Sequence, residues 1–492
     1  MRRLATVVCA LIAVFAMVAP AQIAHAAPAE PFPVERFALP NGLRVWVQPR
    51  ADSQSLAAML VFRAGARYEA PAQRGISHFV EHMLFTGTER WSEDEVKTLI
   101  RNRGGRWNGW TEMERTTYFA QVAAQDAPLA LDWLAEIAFR STFPPDKVDK
   151  EREVVFQEKA GRYGWLLNTL DGVGFGYELD RDVRRTLYPG SPLGQRVIGE
   201  DESLDAITRD DLLAYYRAFY TPANATLILV GRTDAAEARA LAERFFGAIP
   251  AGEAPAAPAA PPATPAGPHH VEVRGPLATD QTTLMIGART VGRGHPDSAA
   301  LDVLGELLSR ELTEEIRYRR GLVYGLGAYN DTYDDTGYFV VSTTSAGTSR
   351  DEILRTVQAR LESLKAGQVD PARVEEAKAA LIGRWSLAME DNVSRAGYLA
   401  EWSTLVAGDE PLPDRTARLA AVTPEDLARV ANLYLTPGAS FVGVHRPALT
   451  VASGVAWAGG GLAGVGALTW ALLRRWRAVG KAKALRPGVT PA

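Results

Sequence analysis

The chain has 492 residues, of which 47% are hydrophobic and 23% charged, with a formal net charge of −4. It is long enough for two or more domains with sizeable cores, and its ordinary composition excludes a disordered or fibrous chain. The only cysteine, Cys9, lies near the N-terminus, which excludes a disulfide framework and cysteine metal ligands from the body.

Arg2 and Arg3 precede an apolar run, Leu4 to Val18, followed by Pro20 and Ala24-His25-Ala26. This is the order of a secretory signal peptide over residues 1–26, with cleavage expected after Ala26. The first half of the body, residues 32–250, opens with strand signals. Leu43-Arg-Val-Trp-Val-Gln-Pro alternates after the Asn41-Gly42 turn, and Ser55 to Arg63 predicts a second strand. Next comes Arg74 to Thr88, RGISHFVEHMLFTGT, which holds His78, Glu81 and His82 in the order H-x-x-E-H. On a helix the two histidines share one face and Glu81 borders it. Two imidazoles so spaced can share one Zn²⁺, and the adjacent carboxylate can take a proton from water activated there. Short motifs of this kind also arise by chance, so the remaining ligands decide.

Pro144-Pro145 start a strong helix predicted over Asp146 to Arg162, on which Glu151 and Glu158 lie two turns apart on one face. One of them can bind a metal while the other orients a histidine. From spacing alone, a charged and solvated helix accounts for both more simply. Asn224-Ala-Thr-Leu-Ile-Leu-Val-Gly predicts a strand, and Ala235 to Phe246 the helix that closes this half.

Residues 251–268, AGEAPAAPAAPPATPAGP, contain six prolines and form an extended, semi-stiff linker. The second half, 269–447, echoes the first. Gln281 to Ala288 predicts a strand, Ser298 to Ser309 a helix and Ser440 to Val444 a closing strand. Setting Met83-Leu84 against Leu307-Leu308 puts Asp302, Gly305 and Glu306 where His78, Glu81 and His82 stand. The pattern is an internal duplication in which only the first copy keeps metal chemistry. Without regular β-α-β alternation, the fold class is α+β rather than a doubly wound sheet.

Val451 to Leu473 carries no charge and is long enough to cross a bilayer. Arg474, Arg475, Arg477, Lys481, Lys483 and Arg486 follow it, which predicts a basic cytoplasmic tail, 474–492. The expectation is an exported body on the periplasmic side, membrane-anchored through a transmembrane helix at 451–473. Without the terminal cations the body is more acidic than the whole chain, which speaks against nucleic acid as a partner.

H-x-x-E-H is the inverted zincin motif, and over residues 34–446 the chain resembles the M16 (pitrilysin/insulinase) metallopeptidases. It is most similar to their short two-domain members of the mitochondrial processing peptidase type. The resemblance implies two homologous α/β-layered domains. It implies Glu158, 76 residues beyond His82, as the third zinc ligand, and Glu151, seven earlier, as its helper. Gly104-Gly-Arg-Trp-Asn-Gly-Trp-Thr and Thr116-Thr-Tyr-Phe resemble the family's substrate-binding edge strand, on which Asn108 and Gly109 would pair with an extended peptide. Gly109 departs from the alanine commoner there. Arg317-Tyr-Arg-Arg-Gly-Leu-Val-Tyr324 resembles the family's Arg and Tyr, donors suited to a developing oxyanion. Without the family, a cationic helix end and a glycine turn explain that stretch as well.

The implied activity is a zinc endopeptidase acting on peptides or unfolded protein segments. His78, His82 and Glu158 would hold Zn²⁺, with Glu81, Arg317 and Tyr324 catalytic. Longer members enclose a chamber with four domains. A two-domain chain therefore implies a homodimer, or a heterodimer with another M16-like chain, in which Arg317 and Tyr324 act across to the partner. The rival is a non-catalytic peptide-binding or scaffold subunit, against which the intact motif speaks.

Overall fold

The computed structural model describes residues 33–160, 178–275, 279–406, 408–451 and 453. Two sheets organise it. The first holds β1 (Glu35–Ala38), β2 (Arg44–Pro49), β3 (Ser55–Phe62), β4 (Arg106–Thr111), β5 (Thr116–Ala123) and β6 (Ala225–Gly231), in the order β1-β2-β6-β3-β5-β4. The second holds β7 (His269–Gly275), β8 (Gln281–Val291), β9 (Val323–Thr332), β10 (Thr336–Ala346) and β11 (Ser440–Pro447), in the order β7-β11-β8-β10-β9. In each, the first and last long strands of the half pair in parallel: β2 with β6, and β7 with β11. The remaining ladders, β6-β3-β5-β4 and β11-β8-β10-β9, are antiparallel. Five strands of one half therefore repeat in the other, as the duplicated sequence pattern predicts, and β1 is an addition to the first. The mixture of ladders gives the expected α+β class.

The alternation of side chains along a strand gives each sheet two faces to bury. Leu60, Leu227 and Tyr118 of the first sheet pack on that half's own helices with Phe79, Leu134 and Phe246. The opposite face, with Trp46, Met59, Phe119 and Ile228, packs on Leu399 and Trp402 of the helix Asn392–Ser403, which belongs to the second half. The second sheet reciprocates. Ile286 and Phe339 face its own helices, while Met285, Val340 and Phe441 pack on Val183 and Leu187 of the helix Leu179–Leu187, from the first half. Burying side chains of this size stabilises by roughly 1.5–3 kcal/mol each. Each sheet is thus completed by a helix from the other half. This explains why β3 and β6 are apolar almost throughout rather than alternating.

A buried ion cluster reinforces the junction. Arg67 of the first half bonds to Glu114 (2.5 Å) and to Asp335 of the second (2.6 Å). The proline-rich linker carries no helix or strand between residues 251 and 265, as its composition predicts. It is nonetheless pinned to the body, with Arg67 donating to the Ala259 carbonyl (3.0 Å) and Thr264 to that of Leu187 (2.8 Å).

The expected membrane-anchored localisation is not supported. Among the described residues no helix is long and apolar enough to cross a membrane. The 18-residue helix Pro371–Ala388 has the length but carries Arg373, Glu375, Glu376, Lys378 and Arg384, charges too costly for a bilayer core. The expected span at 451–473 lies outside the described residues except for Val451 and Ser453. The expected signal peptide and the basic tail lie outside them entirely.

Candidate metal centre

The H-x-x-E-H stretch forms the helix Ile76–Met83. Its start is fixed by two features. Gly75 adopts φ +94°, and a Cβ there would lie 2.8 Å from the Gly199 Cα and the Ile198 carbonyl. The buried Glu69 carboxylate accepts from the amides of Gly75 (2.9 Å) and Ser77 (3.0 Å) and from the Ser77 hydroxyl, satisfying amides left open at the helix start. Burial pushes that carboxyl up to about 7, against the pull of those donors. Ile76, Phe79, Val80 and Met83 bury one side of the helix in the core. His78, Glu81 and His82 then line a cleft on the other.

Glu151 and Glu158 come from the helix Pro145–Ala160, which begins one residue earlier than predicted. Val148 and Val155 seat it in the core, and the two-turn spacing brings both carboxylates to the histidines. Oε2 of Glu158 lies 3.4 Å from Nε2 of His82 and 3.7 Å from Nε2 of His78. One atom from each of the three residues falls within 4.8 Å of the others. Glu151 meets the far side of His82, its Oε2 3.3 Å from Nδ1. A proton shared there leaves Nε2 free as a ligand.

The electrostatics suit a cation. Burial, with His82 alongside, lowers the His78 imidazole to about 3, so it is neutral and able to donate a lone pair. Burial also opposes protonation of His82, but Glu151, Glu81 and Glu158 outweigh it and shift His82 up. Burial pushes Glu81 up to about 7. Its Oε2 stands 3.9 Å from Nε2 of His78 and accepts a hydrogen bond from the Thr111 hydroxyl. Two imidazoles and a carboxylate with one side open to a cleft of about 680 Å³ fit the donor set of a hydrolytic zinc site.

Asn108 and Gly109 lie on β4, an outer strand of the first sheet whose far edge pairs with no other strand among the described residues, and line the same cleft. Arg317 and Tyr324 do not. Arg317 sits in the π-helical turn Thr313–Arg319, its guanidinium 5.2 Å from the ring centre of Tyr324, which is 89% exposed. Thr111, Phe85 and Trp107, which are not among the residues expected from the sequence, also line the cleft. Thr111 was findable by strand period two, two residues beyond Gly109 and on the same face. Phe85 and Trp107, with ring centres 4.8 Å apart, had no local signal. In the second copy, Asp302 pairs with Arg415 (3.1 Å) and Glu306 with Arg384 (2.6 Å), while Gly305 lies against β9. Its acids are occupied by arginines, and it has no histidine to join them.

The model of the insulinase family of M16 peptidases matches residues 44–161, and that of the M16 peptidase inactive domain matches 206–381. A curated relative from Mycobacterium tuberculosis, named an uncharacterized zinc protease, is 30% identical over 85% of this chain and 95% of its own length. The chain belongs to the M16 peptidase family. A further relative, the uncharacterized zinc protease YmxG of Bacillus subtilis, is 26% identical over 82% of this chain and 96% of its own. The fold is similar to that of a protease from Helicobacter pylori, with a TM-score of 0.76 and 22% identity, covering 85% of this chain and all of that one. Every residue of the candidate centre lies within the stretch matched by the first model, and the match to the second begins ahead of the linker, at residue 206.

Proposed function

We propose that this M16 family member is a zinc-dependent endopeptidase that hydrolyses peptides or unfolded protein segments. The observation that carries this is the convergence of His78, His82 and Glu158 within 4.8 Å, with the Thr111-bonded carboxylate of Glu81 beside them. His78, His82 and Glu158 hold the zinc, and Glu151 fixes the His82 ring. Bound zinc supplies Lewis acidity toward water and the scissile carbonyl.

The protein's own groups do the rest. The free edge of β4 at Asn108 and Gly109 pairs with an extended peptide through main-chain hydrogen bonds, which orients the scissile bond without reading its sequence. Glu81 takes the proton of the attacking water and passes it to the leaving amine. A burial-raised carboxyl suits both receiving and returning a proton. Arg317 and Tyr324 supply donors to the carbonyl oxygen. They lie outside the cleft of their own chain, so a dimer, with a second copy or another M16-like chain, brings them to the partner's centre.

The test is Glu81→Gln. It should retain stoichiometric zinc and lose metal-dependent cleavage of unstructured peptides. Cleavage at the wild-type rate by this variant would sink the assignment. Absence of chelator-sensitive cleavage by the wild type would favour a peptide-binding subunit.

A further inference from the structure

A peptide paired on the free edge of β4 points its side chains alternately to the two faces of the sheet. One face belongs to the metal helix, where Thr111 meets Glu81 and Trp107 packs on Phe85. The other is the face of Trp110, whose ring lies 6.0 Å from that of Phe119. On this second face a groove of about 470 Å³ adjoins the metal cleft through Trp110 itself.

The second half builds the far wall. Leu381, Trp385 and Ala388 come from the helix Pro371–Ala388, and Gly397 from the helix Asn392–Ser403. An ion pair of 2.9 Å between Arg106 on β4 and Asp391, between those two helices, ties this wall to the strand. The charged residues that line it are ion-paired: Arg384 with Glu306, Arg415 with Asp302, Arg115 with Glu112 and Glu401 with Arg293. Beside these charges the groove is lined by Trp110, Leu381, Ala388, Met389 and Trp385, whose ring packs edge-on against Tyr398 with ring centres 4.5 Å apart. A Cβ placed on Gly397 would touch nothing within 4 Å, so the groove has open space there.

We propose that this groove is a second substrate subsite. It takes bulky apolar side chains from every second residue of the bound peptide, on the face turned away from the metal. The proposal rests on the peptidase function and on pairing at β4, and it adds sequence selectivity to an edge that is otherwise sequence-blind. The physical basis is strand geometry: one residue in two is carried to the metal-helix face and the next to the groove.

The experiment compares matched peptides that differ only in having leucine or glycine at alternate positions flanking the cut. Holoenzyme of the wild type, Gly397→Leu and Ala388→Phe is used, and products are read by mass spectrometry. The wild type is expected to favour leucine at one alternating set of positions. Each variant fills the groove from a different wall and should lower the leucine-to-glycine ratio in kcat/KM by about tenfold or more. Using two walls keeps the test valid if one variant folds poorly. Zinc-dependent cleavage with the same ratio in a folded variant as in the wild type would overturn the subsite alone. A wild type that cleaves neither peptide would overturn the peptidase function and the subsite with it.

Discussion

The Thr111 hydroxyl donates a 3.1 Å hydrogen bond to Oε2 of Glu81, so the last residue of β4 holds the carboxylate beside the histidines. The strand proposed to receive the peptide and the base proposed to act on it are thereby one mechanical unit. Thr111→Val keeps the shape and removes the donor. A hydrogen bond to a charged group contributes about 1.5–3 kcal/mol, so kcat should fall by roughly tenfold or more at unchanged zinc content, with Thr111→Ser restoring most of it. An unaltered kcat in the valine variant would remove Thr111 from this role.

Glu151 is buried and meets Nδ1 of His82 at 3.3 Å, across the ring from the nitrogen proposed to bind zinc. Glu151→Gln removes the charge that fixes the ring's tautomer. Zinc affinity, measured by competition with a chromogenic chelator, should weaken by about 10–100-fold. The same affinity as the wild type would mean that helix packing alone orients His82.

Gly109 departs from the alanine that the resemblance to the family implies, and there is no room here for one. A Cβ would lie 2.9 Å from Cδ1 of Tyr118 and 3.0 Å from Cζ of Phe85, two buried rings whose centres are 5.8 Å apart. Gly109→Ala should therefore destabilise the first half by about 1–3 kcal/mol through overpacking, seen as a lower midpoint in denaturant. A midpoint equal to the wild type would show that Phe85 swings aside.

Asp302 occupies the degenerate helix, and burial pushes its carboxyl from 3.8 to about 6. Between those values the folded state holds more protons than the unfolded one, so stability falls as pH rises through the window, by up to roughly 3 kcal/mol. Asp302→Asn keeps an acceptor for Arg415 and abolishes the titration. Its unfolding free energy should vary less between pH 4 and pH 6 than that of the wild type, and parallel profiles would locate the titration elsewhere.

Local chemistry made much of the centre legible. The i, i+4 spacing of His78 and His82 and the seven-residue spacing of Glu151 and Glu158 are properties of single helices, and a helix fixes its faces from sequence alone. The duplicated strand pattern likewise survives as five matching strands in two sheets. The terminal segments were a different case. Residues 451–473 suit a membrane on composition, yet no helix among the described residues is long and apolar enough to cross one.

The sequence by itself determined which residues can bind a metal, because ligand type and helical period are local. Only the tertiary structure decided which of them meet. Glu158 lies 3.4 Å from His82 because two helices pack side by side, and that packing depends on Val148, Val155 and Phe79 burying in one core. It also decided that the back of each sheet is closed by a helix from the other half. Such closure depends on apolar surface matching between distant segments, and no local pattern of residues encodes which surfaces will meet.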